Sequence, residues 1–229
     1  EGVKALKGVH TINLSRTSVT DEGVKALVGV HTINLCSTST TDEGVKALVG
    51  VHTINLCGTS VTDEGVKALK GVHTIDLSWT AVTDEALQSL VGVHTIDLNN
   101  CHITAEGIKA LKGVHDITLC KPRDSWLKQL GDVHTVHISQ GRYVTDDGIK
   151  ALINVKHLDL NDFPEITDLG FKTLVNLERL NVGDCPQITN GCLKHLTSLK
   201  QVAGLENTKL TKEAVESMGI QYCGEYLSN

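Results

Sequence analysis

Every 21 residues the first half of this sequence begins again. The segment VHTINLCGTSVTDEGVKALKG, Val51 to Gly71, returns almost unchanged from Val9, Val30, Val72 and Val93, and more loosely toward the C-terminus. Starts at Val9, Val30, Val51, Val72, Val93 and Val114 are 21 residues apart; those at Val133, Val155, Leu177 and Leu199 follow after 19, 22, 22 and 22. Ten units therefore follow a half-unit at 1–8. A unit this short cannot bury a core of its own, so successive units must stack on one another.

Within the unit, Ile54 and Leu56 alternate with Thr53, Asn55 and Cys57, the period of a strand with one buried face. Thr62-Asp63-Glu64 then reads as a helix start, a capping hydroxyl followed by two carboxylates at the positive end of the dipole. Val66 and Leu69 form the apolar face of a helix of about two turns. Gly71 ends it where a left-handed backbone is usual, and Asn154 and Asn176, tolerant of that conformation, stand at the equivalent place in later units. Asp132 and Ser198 fill it less well.

Val51-x-x-Ile54-x-Leu56-x-x-Thr59-x-Val61 resembles the leucine-rich repeat pattern, with Thr in the usual Asn or Cys position. Leu177-x-x-Leu180-x-Val182-x-x-Cys185-Pro186-Gln187-Ile188-Thr189 is closer to the cysteine-containing, RNI-like subclass found in F-box proteins, and Ile166-Thr167-Asp168-Leu169-Gly170-Phe171 fits the same subclass. The resemblance implies an α/β fold: a leucine-rich repeat solenoid of right-handed strand–short-helix units of 19–22 residues, curved, with a parallel sheet on the concave side. The array is expected over 1–219, with 220–229 as a terminal strand or C-terminal cap. The chain opens inside the helix half of a unit, so Glu1 reads as the edge of a fragment of a longer chain or larger complex.

Net charge is −6 and the isoelectric point about 6.0, from which no nucleic-acid partner is expected. No apolar run approaches the ~20 residues that span a bilayer, so no membrane partner is expected either. Seven cysteines, with no C-x-x-C or zinc spacing, read as reduced structural thiols in an intracellular, cytoplasmic setting. Cys101 and Cys185 take the ninth position of the unit, where a small polar side chain bonds loop backbone; Cys36, Cys57 and Cys120 take the seventh.

Two columns are periodic enough to invite a role. His10, His31, His52, His73, His94, His115 and His134 share the second position and form a ladder, which suits stacking better than metal binding because ligands in a row do not converge on one ion. Its protonation should weaken the regular half below about pH 6. Lys4, Lys25, Lys46, Lys67, Lys109, Lys128, Lys150, Lys172 and Lys194 share another column, and Glu22, Glu43, Glu64 and Glu106 lie three residues ahead of their lysines, a charge-compensated solvated wall.

The strand side of the regular units repeats Thr, Asn or Asp, and Cys or Ser, small polar residues that make poor interface anchors. Departures from the copy are the informative positions. Trp79, Asn100, His102, Lys121, Arg123, Arg142 and Tyr143, then His137, His157, Asp159, Asp162 and Phe163, are expected to bind a partner; Trp126, in the shortened unit, fits either a contact or the core. No acid, base or nucleophile has a role to fill, so no enzyme, cofactor or metal is expected. The expected function is non-enzymatic recognition of a protein through the strand side and adjacent loops, with substrate recruitment for ubiquitin ligation implied by the F-box resemblance. The alternative is a structural or assembly element of a larger complex, contacting through its ends and helix wall.

Overall fold

Short strands alternate with helices of four to six residues or 3-10 turns in the computed structural model, which describes residues 6–224. The half-unit's Glu1–Ala5, with Lys4 of the lysine column, and Glu225 and Tyr226 of the terminal segment lie outside the described residues. Two compact units divide at Val114 and His115.

The first contains β1 (Thr11–Asn13), β2 (Thr32–Asn34), β3 (Thr53–Asn55), β4 (Thr74–Asp76) and β5 (Thr95–Asp97), paired in parallel and in chain order. Register is unit-for-unit, Ile33 opposite Ile54 and Ile54 opposite Ile75, because the buried Ile and Leu columns tolerate no one-residue slip. Ile33, Ile54, Ile75 and Ile96, with Leu35, Leu56, Leu77 and Leu98, are buried against Val45, Val66 and Leu87 from the helical side. Each such side chain stabilises the stack by about 1.5–3 kcal/mol.

In the second unit β6 (Asp116–Cys120), β7 (Thr135–Ser139) and β8 (His157–Asn161) lengthen to five residues. β9 (Arg179–Asn181), β10 (Gln201–Ala203) and β11 (Gln221–Tyr222) continue in parallel order. The helices of about two turns that the apolar spacing predicts are approached by Asp84–Ser89, Ala105–Ala110 and Lys212–Ser217, each of six residues, but not by every repeat. Asp42–Val45 and Asp63–Val66 are single turns of four residues, and Asp168–Thr173 and Asn190–His195 are 3-10 turns. A glycine, a poor helix former, stands at the third helical position of both four-residue turns and of Asp168–Thr173, although Ala105–Ala110 stays α-helical over six residues with Gly107 at the same place.

That glycine answers to a contact between neighbours. Asp42, at the first helical position, accepts hydrogen bonds from the backbone N–H (2.8 Å) and hydroxyl (2.7 Å) of Thr62, the cap of the next turn. The same two-bond clamp joins Asp21 to Thr41, Asp63 to Thr83 and Asp84 to Thr104, and in the second unit Asp124 to Thr145, Asp146 to Thr167 and Asp168 to Thr189. A Cβ on Gly65 would stand 2.5 Å from the Asp42 Oδ1. Ala86, at the equivalent place, is buried with the Asp63–Thr83 clamp intact, so a methyl is accommodated at least once.

Gly8, Gly29, Gly50, Gly71, Gly92 and Gly113 all have φ of 82–87°, as their position after the helix requires. The asparagines of the second unit do not follow. Asn154, Asn176, Asp132 and Ser198 are not left-handed. Asn154 instead donates to Asp132 Oδ1 (3.1 Å) and Asn176 to the Ile153 carbonyl (3.3 Å), so these side chains tie a turn to its predecessor.

Candidate protein-interaction surface

The strand side of the first unit is closed on itself. Asn34 and Asn55 each accept from the backbone N–H two residues on, of Cys36 and Cys57, at 2.9 Å, and Asp76 accepts from Ser78 in the same way. The hydroxyls of Thr32, Thr53 and Thr74 face the Nδ1 atoms of His31, His52 and His73 at 3.2 Å. These residues hold the shape of the face and offer little to a partner.

The eighth position behaves differently. Arg16, Ser37, Trp79 and Asn100 in the first unit, and Lys121, Gln140, Asp162 and Asp184 in the second, all have φ of 54–63°. The chain turns there from strand into loop, and the left-handed backbone aims the side chain outward. Gly58 meets that demand without strain. A bulky side chain does not. Trp79 is therefore doubly unfavourable in isolation: left-handed at φ 58° and 65% exposed. Asn100 is half-buried beside it in sequence register, and His102, exposed, pairs with Thr83 through its backbone.

In the second unit the loops gather a charged and aromatic cluster. The Arg123 guanidinium lies 5.1 Å from the centre of the Tyr143 ring, and the two residues form a parallel bridge. Tyr143 is 62% exposed. Arg142 Nε stands 4.0 Å from Asp162 Oδ2, and Lys121 is exposed at its own left-handed corner. On the strands, His137 Nδ1 meets Asp159 Oδ2 at 3.3 Å. His157 lies opposite Arg179 and edge-on to His134, with ring centres 4.7 Å apart. Burial first, then repulsion from His134 and Arg179, lowers the His157 pKa.

Phe163 must be withdrawn from the partner-binding set. It is fully buried, and a Cβ on Gly141 would stand 2.1 Å from its ring. Both residues occupy the ninth position, so the missing side chain of one unit makes room for the large one of the next. Trp126 is half-buried. At the same ninth position Thr38, Thr59 and Thr80 donate to the carbonyls of Leu35, Leu56 and Leu77, while the thiols of Cys101 and Cys185 contact the carbonyls of Leu77 and Gly183. Burial pushes the Cys101 thiol up to about 11 and that of Cys185 to about 12.

Two groups were missed by sequence reading. Glu178 binds both Lys156 (3.3 Å) and Lys200 (2.5 Å), and Arg179 joins the strand-side surface. Lys156, Glu178 and Lys200 all stand at the second position, spaced 22 apart, so the column that exposed the histidines also carries this triad. The lysine wall is compensated in part, with Lys46–Glu43 at 2.8 Å and Lys67 bridging Glu64 (2.6 Å) and Glu85 (2.8 Å), while Lys128, Lys172 and Lys194 have no ion pair among the described residues.

Comparison with known proteins identifies the architecture. A family model described as Leucine Rich repeat matches residues 9–28 and 93–112. The solved TLR13–ssRNA13 complex is similar with a TM-score of 0.70 at 18% identity, over 97% of this chain and 39% of that one. An internalin (inlF) from Listeria monocytogenes is similar with a TM-score of 0.57 at 16% identity, over 98% of this chain and 84% of that one. No curated protein matches by sequence. The chain is built of leucine-rich repeats, and proteins of this kind generally mediate protein–protein recognition and are typically non-enzymatic. It spans only about two fifths of the TLR13 chain.

One expectation falls with this comparison. A net charge of −6 does not exclude a nucleic-acid partner, since a structure of the same fold is a complex with single-stranded RNA. Whole-chain charge averages over faces, whereas binding depends on the local set of cations. Among the described residues no helix is long and apolar enough to cross a membrane.

Proposed function

We propose that the chain is a protein-recognition module that engages a partner through its loop corners and strand side. The anchors are Trp79 in the first unit and the Arg123–Tyr143 pair in the second, with Arg142, His137 and Asp159 supplying polar contacts. The observation that carries this reading is Trp79, an exposed indole held in a backbone conformation that disfavours it. The left-handed corner recurs from repeat to repeat, so what singles out Trp79 is a large exposed indole where Gly58 fits freely, and Trp, Tyr and Arg dominate binding energy at interfaces. The lysine wall supports an assembly role less well, because Lys25, Lys46, Lys67, Lys109 and Lys150 already have carboxylate partners, which leaves Lys128, Lys172 and Lys194 as its unpaired part among the described residues.

The test is affinity capture from a native lysate with this chain as bait, beside a Trp79→Ala/Tyr143→Ala double variant. A partner protein captured by the first and lost by the second supports the proposal. Ligase adaptor subunits among the captured proteins would favour substrate recruitment for ubiquitin ligation in a cytoplasmic setting. Capture abolished by nuclease treatment would transfer the reading to RNA. Equal capture by both baits would sink it and move attention to the helix wall.

A further inference from the structure

Cys36 and Cys57 are the one place among the described residues where two adjacent units both carry cysteine at the seventh position. The ladder brackets that level with Leu35 N–H to the Asn55 carbonyl at 2.8 Å and Ser37 N–H to the Cys57 carbonyl at 2.7 Å. Register at Asn34 opposite Asn55 places the two cysteines opposite each other two residues further on. Each cysteine's N–H is also held at 2.9 Å by the side-chain oxygen of Asn34 or Asn55, so both side chains leave a fixed backbone on the same face. Both are half-buried and unbridged. Cys36 Sγ stands 3.5 Å from the Ser37 hydroxyl, and burial raises the Cys57 pKa.

Distance decides what such a pair can do. Neighbouring strands lie about 4.8 Å apart. A disulfide's usual Cα separation of about 4.4–6.8 Å admits that spacing. Its Cβ atoms must however come within about 3.5–4.5 Å and its sulfurs to about 2.0 Å, so two side chains that leave parallel strands on one face have to turn toward each other to form it. Two metal–thiolate bonds as long as those of zinc, about 2.3 Å, laid end to end span at most about 4.6 Å, and two-coordinate bonds run somewhat shorter. Linear two-coordination is the geometry of soft monovalent d10 ions, and soft thiolates select Cu(I) among the biological metals.

We propose that Cys36 and Cys57 form a two-thiolate site for Cu(I) on the strand side of the first unit. Binding replaces two S–H bonds by two Cu–S bonds and releases two protons, with no change of oxidation state; the metal itself deprotonates the thiols it binds. The site is independent of the loop anchors proposed above.

The sequence supplies a neutral substitution, since Ser15 and Ser78 occupy the same position in neighbouring units. Anaerobic titration with Cu(I) against bicinchoninate, a chromophoric chelator, should show one ion bound per chain. Cys36→Ser and Cys57→Ser should each weaken that binding by more than the roughly 10–100-fold that losing a supporting outer-shell group costs. Cys120→Ser, whose thiol faces Gln140 rather than a second cysteine, should leave it unchanged. X-ray absorption should show two sulfurs at a single distance. Binding that survives either of the first two substitutions, or falls equally with Cys120→Ser, overturns the proposal. So does conversion of the pair to a disulfide by mild peroxide in the presence of Cu(I), detected as a loss of two mass units.

Discussion

Single residues at the eighth position show how a repeat separates folding from display. The backbone there must be left-handed, and Gly58 takes that conformation freely. Trp79 accepts the same geometry at a cost of about 1–2 kcal/mol for a residue with a Cβ, part of which Gly would give back as unfolded-state entropy. Trp79→Gly should therefore hold the midpoint of chemical denaturation or raise stability by about 0.5–1 kcal/mol, while binding to a captured partner falls. A clear loss of stability in the variant would mean that the indole packs, and the argument for display would fail. Sequence inspection singled out Trp79 because it broke the copy, but the copy does not reveal that its position is left-handed. Phe163 broke the copy too and lies in the core, because Gly141 leaves it space. Irregularity marks a changed environment, and burial decides which kind.

Among elements, the short helix depends on its neighbours more than on its own propensity. One turn with a glycine inside is marginal in isolation. Its first carboxylate is fixed by the next unit's threonine, so each turn holds the one after it. Asp42→Ala removes both acceptors for Thr62 and leaves a part-buried N–H without its partner. Such a loss costs about 1–3 kcal/mol, read as a lower denaturation midpoint. Glu43→Ala removes only an exposed ion pair with Lys46 and should leave the midpoint close to unchanged. Equal effects of the two would refute the clamp. The T-D-E-G string was legible as a helix start. Its Asp looked like a dipole partner, because the contact it makes lies 20 residues away and is invisible to local spacing.

Across each whole unit the histidine column links stacking to pH. Rings of His10, His31, His52, His73 and His94 are stacked 4.5–4.6 Å apart, and those of His115 and His134 4.2 Å apart. Desolvation, then repulsion from His10 and His52, lowers the His31 pKa; desolvation, then repulsion from His115, lowers that of His134, against opposing attraction from Asp116 and Glu178. A folded pKa below the unfolded value of about 6.5 means that the folded chain binds fewer protons. That stabilisation is complete above about pH 6.5 and is lost as pH falls through the lower folded values. The melting temperature should drop between about pH 7.5 and 5.5, ahead of any loss from Glu43, Asp147 and Glu178, whose lowered pKa values place their effect below the carboxylate range. A flat profile over that interval would refute the stacking account. Period and apolar spacing alone determined the repeat, the parallel strands, the buried Val, Ile and Leu columns and the partly paired lysine wall, because each follows from contacts that recur from unit to unit. Only the tertiary structure decided which departures face outward, which aspartates bind across units and why Asn154 and Asn176 are not left-handed. Those depend on what the adjacent unit places opposite, and a single unit's sequence does not contain its neighbour.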